Sequence, residues 1–571
     1  MIVTPYPTIV SLINNIRPDQ PFQFYTLPYH LKVIKTLLLI VLVFFCSLIY
    51  CIKKKKIIIN KIQNIIVEFK RLQINLLQSI RNFIKTEDTF HIILLAIMLS
   101  IGLLIRVFYI NRPVFHDEAK TFYSFISSSW IDAISNYYVP NNHVFHSICA
   151  RIFYLLFGNE EWVFRMPVFL SGIFTSAFIY IFARIYYNKH IALILSAVNT
   201  NAIPLVSYSV NARGYMMGTL FFLFLLILIK LLREKESVIL WFLFIMIATL
   251  SVWTVPTMIM ALIFLFTWYI LNSNKSQLST DLIRLLLVGL VCIITFFIVY
   301  SPVILRSTIY SLISNEYVQS QTLTEIVQKI PNYVNQLGIF FSSGYSGIIH
   351  LLLVLILFML GMYYHLMNKD YKKIIYSIIL LLFVVLFILR TLPYARTFLF
   401  IYPLIWGIIV SGIYMMTSFI SNYLKININK SVFFVSIVLF MYSSVNCIIH
   451  EGIIKDSIDQ TCPQAEEIIT QIKRELGPND IIETSSPLAG PIRYYLIKSG
   501  INQTQFYWHS NNKSKNLLSE PNNIYVITRD KSNSLESFGY TAEESIGRYT
   551  PPKLWKRYMD GVNVFVITKS L

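Results

Sequence analysis

The sequence predicts a polytopic α-helical membrane protein of about twelve transmembrane helices with a small C-terminal α/β domain outside the membrane. Three observations carry this. Of 571 residues, 56% are hydrophobic and only 13% charged, a balance that leaves a soluble chain too little polar surface to cover its core. Apolar runs approaching about 20 residues recur along the chain, each long enough to cross a bilayer. Basic residues gather on every second connection between these runs, as they do in cytoplasmic loops. A large soluble enzyme with buried helices is excluded by the same runs.

Taken in order, the runs lie near residues 32–52, 88–110, 162–186, 190–209, 213–232, 237–253, 256–272, 281–304, 348–367, 373–391, 396–417 and 431–449. The first follows a Pro-rich polar stretch and has no small-residue cleavage site, so it is expected to stay as a membrane helix. Residues 57–85 alternate apolar and basic positions at helical spacing. That pattern fits either an interfacial helix on an anionic leaflet or a helix packed on the bundle.

The formal charge of +19 raises nucleic acid as a partner, but its distribution points to topology. Residues 451–571 hold 14 basic and 14 acidic residues, so the excess, 34 basic against 15 acidic, lies in the membrane part. Lys53 to Lys56, Arg184 with Lys189, Lys230 with Arg233 and Lys235, Lys372 with Lys373, and Lys425 with Lys430 mark the cytoplasmic connections. The loop after residue 110, the long connection 306–347 and the tail are then outside, in a multi-pass cell-membrane protein. In the tail, 463–476 and 491–498 read as helices, and 481–484, 524–529 and 562–569 as strands. Three regions result: an extra membrane helix with its basic segment at 1–86, a membrane domain at 87–451, and an extracytoplasmic α/β domain at 452–571. The six cysteines show no CxxC and no metal-ligand spacing, so they make neither a disulfide framework nor a zinc site.

The candidate chemistry sits on the outer connections. Asp117 and Glu118 follow His116 just past a spanning run, where carboxylates are costly to keep near lipid. A helix cap is the plainer account of such a pair. Asn142 and His143 follow, with His146 one turn on. Tyr208, Arg213 and Tyr215 lie between two runs, and Arg165 and Arg396 start later ones. Arginines there either grip phosphate or reach for headgroups. Several arginines on the outer face oppose the charge trend and require a reason.

The run HDEAKTFYSFIS…NNHVFHSI…LLFGNEEWVFRMPVFLSG…SYSVNARGYMMG resembles the bacterial polyprenyl-phosphate-dependent glycosyltransferases of the GT-C superfamily, in particular the protein mannosyltransferase and aminoarabinose transferase group. The likeness is detailed over residues 90–235 and one of layout beyond them. Val144 and Phe145 stand where the family usually has Pro-Leu. The resemblance implies a GT-C-like fold and inverting transfer of a sugar from a polyprenyl-phosphate donor to an acceptor hydroxyl on the outer face. Asp117 would be the general base, or would orient the nucleophile and steady positive charge on the sugar ring. Glu118 would position it or bind acceptor. His116, Asn142, His143, Arg165, Tyr208, Arg213, Tyr215 and Arg396 would bind substrate, Arg213 and Arg396 first among them for the phosphate. The implied mechanism needs no nucleotide; a divalent metal at the acidic pair stays open, although two adjacent acids are a weak ligand set. The acceptor is a glycan, a lipid or a protein. The alternative is a transporter or flippase of a lipid-linked saccharide, less favoured because the charges sit at helix ends and no repeat is visible. A scaffold that kept the fold without the activity is the third reading.

Overall fold

The computed structural model describes residues 87–137, 141–307, 309–313, 320–342, 348–369, 371–449, 453, 462–508, 521–529, 550–558 and 562–569, with isolated positions at 63, 67, 68, 70 and 85. The expected membrane helix at 32–52 and the basic segment at 57–85 lie outside the described residues, those isolated positions apart.

α1 (Thr89–Tyr109) begins at Asp88, whose carboxylate accepts from the Phe90 N–H and so satisfies one orphan donor of the first turn. Two short helices follow, α2 (His116–Thr121) and α3 (Trp130–Ser135), and then the amphipathic α4 (Val144–Phe157). α5 (Glu161–Tyr186) runs back along the bundle. α6 (Lys189–Asn199) and α7 (Ile203–Ser209) return as one path bent by 62° at the break between them. α8 (Tyr215–Glu234), α9 (Val238–Thr254), α10 (Ile259–Leu271) and α11 (Leu278–Ser307) continue the alternation. α12 (Leu323–Phe341) is amphipathic, and α13 (Ile348–Met367), α14 (Lys372–Phe383), α15 (Tyr402–Tyr423) and α16 (Ile428–Ile449) complete the helical part.

Among the described residues seven helices are long and apolar enough to span a bilayer, or eight if the bent pair counts as one span. The expected run at 237–253 is the 17-residue α9, while that at 256–272 opens on a 3-10 turn at Pro256–Met258 and leaves 13 residues in α10. The run at 373–391 forms the 12-residue α14 and then loosens into a π-turn at Val384–Ile388.

Polar contacts tie the ends of neighbouring helices. At one end Glu87 meets Arg184, Asp281 meets Arg233 and Arg284, and Lys373 donates to Asn272 at 2.9 Å. At the other, the Tyr109 hydroxyl donates to the carbonyls of Cys447 and Ile448, and Arg306 pairs with Asp132 at 2.6 Å. Inside the bundle Arg106 is 1% exposed; it donates to the Ser209 hydroxyl and the Gly102 carbonyl and pairs with no acid among the described residues. α12 is strapped to the segment before α15 by the Tyr333 hydroxyl, which donates to the Pro393 carbonyl, and by the Gln321 N–H, which donates to that of Arg390.

The tail holds α17 (Ala465–Glu475), β1 (Ile481–Thr484), α18 (Ala489–Lys498), β2 (Phe506–Trp508), β3 (Asn523–Arg529), β4 (Lys553–Arg557) and β5 (Val562–Thr568). Its sheet has the order β2-β1-β3-β5-β4, with β1 parallel to β2 and β3, and β5 antiparallel to β3 and β4. The core under it is continuous with the helical part. Phe122 and Phe164 bury against Tyr494 of α18, with ring centroids 4.9 and 5.6 Å away.

α13 and α15 cross at backbone contact. A Cβ on Gly361 would overlap the Ile408 carbonyl, and one on Gly412 the Leu357 carbonyl. Small residues at such crossings let two helices pack without a hydrophobic drive between them. Gly361→Val is therefore expected to lower the midpoint of thermal unfolding in detergent, in line with the roughly 1–3 kcal/mol typical of overpacking.

Candidate functional site

The connection from α1 to α5 is built around one buried carboxylate. Glu118 has a side chain 0% exposed. Arg112 donates to its Oε2 at 3.0 Å, and Arg165 grips both oxygens at 2.9 and 3.0 Å. The backbone N–H groups of Phe115 and Ala212 add bonds of 3.1 and 2.7 Å. Burial pushes the Glu118 carboxyl up, but Arg112, Arg165 and these hydrogen bonds outweigh it and hold it below the usual carboxylate range. Arg165 spends its remaining donors on the carbonyls of Ile110, Arg112 and Pro113.

Glu118, expected to position Asp117 or bind acceptor, has both oxygens occupied and no exposed surface, and Arg165, expected among the substrate-binding residues, is fully buried on Glu118. Together they are a latch that fixes the loop. Asn142, expected to bind substrate, is 0% exposed, donates to the carbonyls of Ala133 and Asn136, and accepts from Ser147. Its neighbour Asn141, which sequence reasoning passed over, donates to the Asp117 carbonyl at 3.1 Å and to Thr121.

Asp117 is placed differently. It lies in the first turn of α2 with 29% of its side chain exposed. α2 then passes into a π-turn at Phe122–Ile126, a distortion common beside functional sites. Arg213 stands 3.7 Å from Oδ2 and Arg396 3.9 Å from it, ion-pair distances too long for hydrogen bonds. Arg213 Nη1 and Arg396 Nε are buried with no hydrogen-bond partner. Burial pushes the Asp117 carboxyl up. Arg213 and Arg396, with His116 and Lys120 behind them, more than reverse this and keep it ionised.

The remaining expected residues gather around those arginines. His143 Nδ1 accepts from the Gly214 N–H at 2.6 Å and its ring lies 4.8 Å from Tyr215. Burial, then Arg213, holds His143 neutral well below its ordinary value. Tyr208 packs 5.5 Å from Tyr215, and both tyrosines act on Arg396. His116 Nδ1 lies 3.0 Å from the Pro487 carbonyl of the tail. Thus Asp117, His116, His143, Tyr208, Arg213, Tyr215 and Arg396 come together, while Glu118, Arg165 and Asn142 stand behind them as support. The cluster carries two guanidiniums against one open carboxylate and has spare N–H donors, the chemistry of an oxyanion site. Among the described residues no group of three His, Cys, Asp or Glu is arranged to hold a metal ion.

Arg112 was legible only as a basic residue before Pro113, and nothing in its neighbourhood marked it as a partner for Glu118. Removing one partner from such a buried network costs about 3–5 kcal/mol. Glu118→Gln and Arg165→Met are each expected to lose that stability in thermal unfolding at neutral pH. Because the Glu118 carboxyl is depressed in the fold, its contribution is present above the ordinary carboxylate range and fades as pH falls through the lowered value. The gap between wild type and Glu118→Gln should therefore close in acid.

Residues 140–302 match the family described as dolichyl-phosphate-mannose-protein mannosyltransferase. No curated protein matches the sequence. Among solved structures the fold is similar to ArnT from Cupriavidus metallidurans in the apo state, with a TM-score of 0.53 and 11% identity over 82% of this chain and 97% of that one. The same protein bound to undecaprenyl phosphate gives a TM-score of 0.54 at 12% identity, with the same coverage. An Archaeoglobus fulgidus oligosaccharyltransferase with Zn and sulfate matches at a TM-score of 0.42 and 11% identity, over 70% of this chain and 61% of that one, too distant to carry an argument. In a matched sequence segment and in fold alike, the chain is similar to the polyprenyl-phosphate-dependent glycosyltransferases of the GT-C superfamily, the resemblance its motifs carry.

Proposed function

We propose that this chain transfers a sugar, with inversion, from a polyprenyl-phosphate donor to an acceptor hydroxyl. The observation that carries this is Arg213 and Arg396 flanking Asp117 with unbonded donors. A planar guanidinium suits a phosphate leaving group, which is a stable anion and needs no strong general acid. Asp117, kept ionised, orients the acceptor and steadies the positive charge that develops at the anomeric carbon. His143, Tyr208 and Tyr215 form the wall beside the donor, and Glu118 with Arg165 fixes the loop. The likeness to a structure bound to undecaprenyl phosphate supports a lipid-linked donor.

The charge distribution along the sequence supports the outer face for the site end of the bundle and for residues 452–571, and the resemblance supports 87–451 as the catalytic membrane region. It also favours about twelve spans, the short helices included.

A transporter or flippase of a lipid-linked saccharide draws support from one feature: the break between α6 and α7, close to the buried Arg106, since broken helices mark transport sites. That reading expects movement of lipid-linked saccharide across vesicles without transfer.

The direct test is transfer from a panel of polyprenyl-phosphate sugars by the purified chain. Asp117→Asn should fold normally and lose about 10²–10³ in kcat, the scale of removing one preorganised electrostatic group. Near-normal transfer by that variant would sink the assignment. Arg213→Ala should raise the donor KM about 10- to 100-fold, the equivalent of one hydrogen bond to a charged group, and leave the acceptor KM in place. Equal losses for donor and acceptor would remove Arg213 from the phosphate.

A further inference from the structure

Arg106 is a buried guanidinium that the site described above does not use. It is 1% exposed and pairs with no acid among the described residues. Its Nε–H donates to the Ser209 hydroxyl at 3.1 Å, and its Nη1 donates to the Gly102 carbonyl at 3.0 Å. A cation is costly to keep in the interior of a membrane domain, so its presence there calls for a function. Two glycines on separate helices build the slot that holds it. A Cβ on Gly102 would stand 2.5 Å from Thr200 Cγ2 and 3.3 Å from Arg106 Nη1. One on Gly172 of α5 would overlap the Ser209 hydroxyl and stand 3.2 Å from Arg106 Nε.

Ser209 is the last residue of α7. Its hydroxyl accepts from Arg106 and donates to the Leu205 carbonyl one turn back, which ties the end of α7 to α1. Arg106 thus meets the carbonyl end of α7, where the helix dipole is negative. From Ser209 to α8 the chain passes through residues 210–214 with no helix or strand to hold it. Three side chains hold it instead. Arg106 binds Ser209, Glu118 Oε1 accepts from the Ala212 N–H at 2.7 Å, and His143 Nδ1 accepts from the Gly214 N–H at 2.6 Å. Arg213 stands between the second and third of these anchors, its Nη1 buried and unbonded 3.7 Å from Asp117. With that donor unbonded, the direction of the guanidinium is set through the backbone that carries it, and a fork aimed in advance binds an anion at lower entropic cost.

We propose that Arg106 is a positioning residue for the donor phosphate: through Ser209 it fixes the start of the 210–214 turn and so aims Arg213. The proposal rests on the reading above in which Arg213 meets a polyprenyl phosphate. It assigns the cation beside the break between α6 and α7 to holding the backbone of the site, not to a transport path.

The test is equilibrium binding of undecaprenyl phosphate to the full chain in detergent, alongside transfer kinetics. Ser209→Ala removes one hydroxyl and adds no volume. It should raise the Kd about 2- to 10-fold, the scale of one lost hydrogen bond, and leave the acceptor KM and the kcat at saturating donor unchanged. A wild-type Kd in that variant overturns the proposal, as does an equal rise in donor and acceptor KM. In an Arg213→Ala background the same substitution should leave the Kd where it is, because the side chain it aims is gone. A full repeat of the loss in that background overturns the link to Arg213. Arg106→Lys, which keeps the charge and a donor, should bind more tightly than Arg106→Met; equal Kd values overturn the role of the cation. A wild-type chain that binds undecaprenyl phosphate yet transfers no sugar overturns the transfer reading alone, and the Kd series still decides the positioning. A wild-type chain that does not bind undecaprenyl phosphate overturns both.

Discussion

The structure of the site depends on a single carboxylate removed from water. Glu118 draws together Arg112 from the end of α1, Arg165 from α5 and the backbone of Ala212 after α7, three pieces of chain far apart in sequence. An ionised group in so dry a place survives only because every lone pair is engaged. That obligation makes the loop rigid. Ala212 N–H binds Glu118 while the next residue, Arg213, faces Asp117, so the two acids read opposite faces of the same turn.

Much of the architecture was legible in the sequence because lipid imposes contiguous apolar runs, and Thr89–Tyr109, Glu161–Tyr186 and Tyr215–Glu234 fall where those runs lie. In the tail, β1, β3 and β5 follow the expected strands closely. The two strands that escaped notice, β2 and β4, are the sheet edges. Edge strands need no alternating pattern, and KLWKR carries the lysines that protect an edge from further pairing.

The division of labour between Asp117 and Glu118 was not legible. Neighbours project about 100° apart around a helix, so one faces the bundle and the other the opening, and only packing decides which. Asn141 and Asn142, in the turn before α4, likewise divide: Asn141 donates to the Asp117 carbonyl and Asn142 to those of Ala133 and Asn136. Arg213 and Arg396 could be found because they break the charge trend of their face. Arg165 breaks it too, and in the fold its guanidinium is bonded to Glu118.

α12 shows Leu323, Val327, Val334 and Ile339 on its open surface, and its other side is bonded to the short stretch that leads into Arg396. In a bilayer such a helix takes its depth from the surrounding lipid. The Tyr333 and Gln321 tethers join that depth to the segment before Arg396, so a leaflet that is swollen, thinned or recharged would act on this segment too.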